Sequence, residues 1–271
     1  MVEELVSEIG PLAMHLFVAS WQYSQFVEIR TNMPNGWIVL TADFAENYRT
    51  FYQDEIQSAH WQYQQVTVHT TVAYYRCPPR NCKDVVTESM VCFSEDLKHD
   101  ASSVHAYLMT LDEHLSKSVE IVHQVQFTDG CSCQYKSKEP FMVITSDDYD
   151  FTVEIKNFGS RHGKGPCDGL GAVVKQATKR AVERREVIVR TARDMYNYCV
   201  KNLTLDESHV DKDKCCHTLR AFFLVFDIKR NRLKFPLYTL ARKIHCVRGV
   251  QSGVVEVKNL SCFLQGLCRR K

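Results

Sequence analysis

The chain of 271 residues is short of long apolar runs. The apolar patch Leu12 to Ala19 is too brief to cross a bilayer, and the acidic start Met1-Val-Glu-Glu4 is the wrong flank for a secretory leader. A protein that is neither secreted nor membrane-embedded, and so nuclear or cytoplasmic, is predicted. Internal repeats and low-complexity tracts are also missing, which excludes a solenoid and a disordered polar chain. The phosphate-loop order Gly-x-x-x-x-Gly-Lys-Ser/Thr does not occur, and this counts against a nucleotide-binding enzyme. Strong zinc spacing is lacking too. Cys131-Ser-Cys133 has no clear second pair, and His245, Cys246, Cys262 and Cys268 match no strong ligand pattern, so zinc in the C-terminal region is not expected. Twelve cysteines without a leader imply a reducing compartment.

What is present is enough for a sizeable core: 45% of residues are hydrophobic and 24% charged. The net charge of +2 conceals an asymmetry. Residues 1–150 hold nine Lys and Arg against 21 Asp and Glu, whereas residues 151–271 hold 25 against 11. A basic C-terminal half suits a polyanion partner, and an acidic N-terminal half offers carboxylates for divalent cations.

Leu12, Leu16, Ala19, Tyr23, Phe26 and Arg30 follow helical spacing, and Pro34-Asn-Gly36 ends that segment. Trp37 to Asp43 reads as a buried strand ending in an acid. Gln53 to Gln62 carries no clear assignment. Gln65 to Tyr75 and Val85 to Phe93 read as strands joined through Cys77-Pro-Pro-Arg-Asn-Cys-Lys83, which suggests an antiparallel meander. Val104, Leu108, Leu111 and Leu115 mark a helix over 101–117, with Asp96, His99 and Asp100 at its start suited to capping or to a metal. Val119 to Phe127 is a further strand, again followed by an acid, Asp129. Phe141 to Ser146 fits helix or strand, and Phe151 to Asn157 is a strand.

The glycines at 159, 163, 165, 169 and 171 then form a loop that feeds a helix starting at Pro166. That places Asp168 in the first turn, where a carboxylate is favoured, and His162 and Lys164 just upstream beside amides able to hold an anion. One long basic helix is predicted to about Val200, carrying Lys175, Lys179, Arg180, Arg184 and Arg185. A charged stretch at 205–214 reads as a boundary, followed by apolar segments near 221–226, 243–248 and 254–258.

Five segments resemble a group of transposon-derived, largely uncharacterised animal proteins: Asp43-Phe-Ala-Glu-Asn-Tyr48, Gln53-Asp-Glu-Ile-Gln-Ser-Ala-His-Trp61, Ser94-Glu-Asp-Leu-Lys-His-Asp100, Thr128-Asp-Gly-Cys-Ser-Cys-Gln-Tyr-Lys136 and Arg161-His-Gly-Lys-Gly-Pro-Cys-Asp-Gly169. The match spans about 12 to 262. More broadly, the pattern resembles the ribonuclease-H-like core of transposases and retroviral integrases, which carry an acid on the first strand, one on the fourth, and a third on a helix after the fifth. The resemblance implies an α/β fold: a ribonuclease-H-like mixed five-stranded sheet flanked by helices. It divides the chain into an N-terminal helical segment (1–36), a catalytic core (37–204) and a small basic β-containing appendage (205–271). It implies phosphodiester cleavage or strand transfer on DNA, with Asp43, Asp129 and Asp168 as the catalytic acids holding two Mg2+ or Mn2+ ions. Many relatives use Glu at the third position; Glu183 and Glu186 lie turns beyond the helix start and Glu154 lies within a strand. His162, Lys164, Lys175 and Lys179 would contact phosphates, and a homo-oligomer is compatible with this class. A separate site-specific DNA-binding domain is expected of a complete transposase, and too little sequence precedes Asp43 to hold one. The alternative is therefore a domesticated, non-catalytic protein that keeps the fold and binds DNA or protein.

Overall fold

In the computed structural model, residues 2–51, 64–78, 82–159, 165–206, 215–230 and 244–263 are described. The first helix, α1 (Val2–Thr31), continues to Thr31 and stops ahead of Pro34. Gly36 then turns the chain with φ of 74°, a conformation that costs glycine little. Its carbonyl accepts from the Val122 and His123 N–H groups at 2.8 and 3.2 Å. The remaining elements are β1 (Trp37–Arg49), β2 (Gln65–Arg76), β3 (Val85–Ser94), α2 (Ala101–Leu115), β4 (His123–Thr128), α3 (Lys138–Val143), β5 (Thr152–Asn157), α4 (Pro166–Glu183), α5 (Ala192–Leu203), β6 (Thr218–Leu224), β7 (Cys246–Gln251) and β8 (Val254–Lys258).

The fold is mixed α/β, with one sheet in the order β6-β3-β2-β1-β4-β5-β7-β8. The meander expected from residues 65–93 is present as the antiparallel β2–β3 pair, while β4 and β5 are parallel. Among the described residues the sheet has eight strands where five are expected. The additional three come from the C-terminal segment: β6 adds parallel to the free edge of β3, and β7 adds antiparallel to β5. Both positions offer unpaired backbone groups that an extra strand satisfies.

Three local expectations are corrected. Nothing between Asp43 and Arg49 breaks an extended chain, so β1 continues to Arg49 and Asp43 stands mid-strand instead of at its end. The single long helix is two. It breaks where Arg185 adopts φ of 61°, and α5 restarts at a capping box in which the Thr191 side chain accepts from Asp194 N–H and the Asp194 carboxylate accepts from Thr191 N–H. The strand expected from Val119 begins only at His123, after the hydrogen-bonded turn that follows α2.

The chain folds as two compact units. One comprises 1–39, 121–164 and 233–271. Here Phe26 of α1 packs edge-on against Phe127 and Phe158, with ring centroids 5.2 and 5.7 Å apart. Beside them, the fully buried Gln22 amide donates to the Asn157 carbonyl and the Ser261 hydroxyl and accepts from Ser261 N–H. That amide ties together three stretches far apart in sequence, and a buried polar group so satisfied is stabilising where an unsatisfied one would be costly.

The other unit, 40–120 and 165–232, is a sandwich: α2 covers one face of its strands and α4 the other. On the α2 face Phe44 packs edge-on against His69, which lies tilted on Tyr107, with centroids 4.8 and 5.0 Å apart. Close to the same end, Arg230 forks onto Asp96 at 2.6 and 2.9 Å and reaches Asp100 at 2.8 Å. The Arg230 guanidinium holds the Asp96 carboxyl below its ordinary range. Asp100 caps α2 by accepting from Ser103 N–H, so these two acids serve the fold; His99 is within hydrogen-bonding distance of Asn47 and Thr67.

The alternation of charge along the chain does not survive folding. The first unit collects 14 basic and 11 acidic residues and the second 20 and 21, because each draws on both halves of the sequence.

Burial, reinforced by the neighbouring His99, pushes the His69 imidazole down from 6.5 to about 3. In the unfolded chain it takes up a proton below 6.5 that the folded state refuses, so the stability it carries is present above that pH and is lost as pH falls towards 3. Denaturant titrations at pH 7 and pH 5 should show His69→Gln losing less stability than the parent, by about 1.4 kcal/mol per pH unit below 6.5. Parallel losses in the two proteins would contradict this.

Candidate functional site

The face of β1 that carries Thr41, Asp43 and Ala45 is fixed by the period of two along a strand, and α4 lies over it. Cys167 and Gly171, four residues apart and so on one side of α4, make the contact. The Cys167 thiol donates to the Thr41 carbonyl at 3.2 Å. A Cβ on Gly171 would stand 2.8 Å from the Ala45 Cβ and 3.6 Å from the Thr70 Cγ2. Glycine at that position therefore lets the helix backbone approach the strand. Farther along, the Lys175 ammonium donates to the Glu46 carbonyl at 3.1 Å.

Asp43 sits between these contacts, half-buried, and the Thr70 hydroxyl donates to its carbonyl at 3.1 Å. Its charge is felt by Cys167. Burial pushes that thiol up to about 11, and Asp43 adds to the effect, so Cys167 stays protonated and is no nucleophile. Asp168 is the next residue in the first turn of α4, on its exposed side. One of its carboxylate oxygens accepts from Gly165 N–H at 3.2 Å, which completes the helix start, and the residue is exposed. Asp43 and Asp168 are thus both placed at the α4 N-terminus, one on the strand beneath it and one on its first turn.

Asp129 belongs to the other unit, directly after β4. Its carboxylate accepts from Cys131 N–H at 2.8 Å, and Gly130 follows with φ of 75° against the Asn157 side chain. This is the geometry of a turn-initiating aspartate, with the carboxylate half-exposed. Among the basic candidates, Lys175 also faces the Glu46 carboxylate at 4.0 Å, and Lys179 faces Glu183 at 3.7 Å one helical turn on. His162 and Lys164 lie outside the described residues, as do Gln53 to Trp61. Of the alternative third acids, Glu183 is at the far end of α4 and Glu186 beyond it, while Glu154 is buried in β5 and bridged to Lys156.

A second group of reactive side chains emerges only in three dimensions. Cys77, Cys82, Cys215 and His217 bring one ligand atom each to within 4.8 Å of one another. Spacing conceals them, because 135 residues separate Cys82 from His217. The local signals are a Cys-x4-Cys turn and a Cys-x-His tripeptide, each weak alone. In the C-terminal region, by contrast, Cys246 accepts from the Lys156 ammonium, Cys262 is disulfide-bonded, and Cys268 lies outside the described residues. Among the described residues, no helix is long and apolar enough to cross a membrane.

A protein-family model described as Domain of unknown function (DUF8701) matches residues 22–261, and the chain belongs to that family. No curated protein and no solved structure matches it.

Replacing Gly171 by Val should force α4 away from β1, since the new Cβ would clash with Ala45 and overpacking costs about 1–3 kcal/mol. Chemical denaturation should register that loss, whereas Gly169→Ala, whose Cβ meets nothing within 4 Å, should leave stability equal or raised. Equal stability of Gly171→Val and the parent would refute the close approach.

Proposed function

We propose that this member of the DUF8701 family is a transposon-derived protein with a ribonuclease-H-like core that cleaves or transfers DNA phosphodiesters with the help of divalent metal. What supports the reading is the placement of the acids along the chain's elements: Asp43 on β1, Asp129 directly after β4, and Asp168 on the first turn of the helix that follows β5. That is the order the resemblance implies. The neighbouring strands β1, β2 and β3, with β2–β3 antiparallel, followed by parallel β4 and β5, agree with it.

The donor chemistry fits Mg2+ or Mn2+. Carboxylate oxygens are the hard ligands these ions select, and the half-buried Asp43 is held rigidly in a central strand. Bound ions of this kind activate an attacking oxygen and stabilise the leaving one in an in-line displacement. The residues' own part is to bind and orient. Asp43 and Asp129 are assigned as ion ligands and Asp168 as the third acid. The N-terminus of the 18-residue α4 presents the positive end of its dipole, which favours a phosphate nearby. Lys175 and Lys179, and His162 and Lys164 ahead of the helix, are assigned to the DNA backbone.

The second reading, a non-catalytic binding protein that keeps this fold, is favoured by one observation. Asp129 and Asp168 already accept backbone N–H groups at a turn and a helix start, which gives both carboxylates a role in the fold without an ion.

Incubation of duplex DNA with the full chain and Mn2+ or Mg2+ distinguishes the two. The first reading predicts metal-dependent cleavage that Asp43→Asn abolishes while circular dichroism stays unchanged. DNA binding that weakens with salt, without cleavage at any metal concentration, would transfer the conclusion to the second reading. Cleavage undiminished in Asp43→Asn would end the first outright.

A further inference from the structure

We propose that Cys77, Cys82, Cys215 and His217 form a structural zinc site that staples the β2–β3 hairpin to the start of β6. The inference is independent of the nuclease reading, since it uses different residues and a different metal.

The topology brings the donors together. In the antiparallel β2–β3 pair Arg76 lies opposite Val85, and just beyond it the two strands are held together by Cys77 N–H donating to the Asp84 carbonyl at 3.0 Å. Because β6 is parallel to β3, its first residues lie beside that hairpin: Thr218 pairs with Thr87, and Thr87 N–H donates to the His217 carbonyl at 2.8 Å. Cys77 and Cys82 come from the hairpin, Cys215 and His217 from the approach to β6. Two pairs of ligands on separate segments are thereby held against one another by backbone hydrogen bonds.

The donor atoms suit zinc. Four ligands of one Cys3His set, all within 4.8 Å of each other, match a tetrahedron whose edges are about 3.5–3.8 Å for Zn–S near 2.3 Å and Zn–N near 2.0 Å. The Cys82 Sγ and His217 Nε2 already approach to 3.1 Å. All three thiols are free, and three sulfurs with an imidazole select zinc over Mg2+ or Mn2+. The opposite ring nitrogen is also accounted for: His217 Nδ1 faces the Asp84 carboxylate at 3.8 Å, leaving Nε2 directed at Cys82. A carboxylate behind a ligating histidine fixes its orientation and raises its basicity. With four protein ligands the coordination is closed, which is the mark of a structural ion and leaves no open position for catalysis. Cys216, between two of the ligands, donates instead to the Thr218 carbonyl at 3.3 Å and is excluded from the set.

The test uses the full chain purified under reducing conditions. Elemental analysis should find about one zinc per chain. After removal of the metal by a chelator, Co2+ titration should produce the visible bands of a tetrahedral thiolate complex at one equivalent, and zinc should displace them. Cys77→Ser and Cys215→Ser should each lower metal content at least tenfold, while Cys216→Ser should match the parent. The chelated parent should melt at a lower temperature than the zinc-loaded form, because binding energy here is folding energy. Should either variant fail to fold, the cobalt titration of the parent decides alone. Absence of the cobalt–thiolate bands in the folded parent, or equal metal loss from Cys216→Ser and Cys77→Ser, would overturn the proposal.

Discussion

The approach of α4 to β1 is the contact on which the second unit is arranged. A helix can lie this near a strand only where the facing side chains are small, and Gly171 over Ala45 meets that demand, with Cys167 over Thr41 one turn earlier. The register of the helix on the strand follows from those two positions. It leaves Asp43, midway between Thr41 and Ala45, beneath the first turn of the helix that also carries Asp168. A bulkier residue at 171 would open this corner, and the electrostatic influence of Asp43 on Cys167 would weaken with distance.

Opposite faces of the same strand have different tasks. Odd-numbered residues of β1 from 41 to 45 meet α4 and hold the candidate acid; Phe44, pointing the other way, joins His69 and Tyr107 under α2. The second face is dry and aromatic, so it contributes packing and resists protonation. Arg230 clamps the start of α2 through Asp96 and Asp100, which turns two of the sequence's metal candidates into parts of a helix cap.

Local signals account for what was legible. Apolar periodicity and β-branched runs located the end of α1, β2, β3, α2, β5 and the start of α4 within a few residues, because each is bounded by a turn or breaker such as Pro34-Asn-Gly36 or Pro166; α1 itself begins ten residues before the periodic run at Leu12. Elements decided by tertiary pairing were not. Strand β6 owes its place to β3 and strand β7 to β5, partners far away in sequence, and an apolar run does not name its neighbour. The break between α4 and α5 was visible only as Thr191-Ala-Arg-Asp194, a capping box hidden inside a continuous basic pattern. The segregation of charge along the chain was misleading, since contact between distant segments mixes the halves. The cysteine–histidine cluster was illegible for the same reason as β6: it exists because a parallel pairing joins a hairpin to a residue stretch more than a hundred positions later.

The proposed nuclease function requires Asp43 to be an ion ligand and not a buried structural carboxylate. Anomalous diffraction from crystals of the full chain soaked in manganese measures this directly. A manganese peak in coordination contact with the Asp43 carboxylate, absent from crystals of Asp43→Asn, is the expected result. Well-ordered density for Asp43 with no anomalous peak at its carboxylate, under saturating manganese, would contradict it.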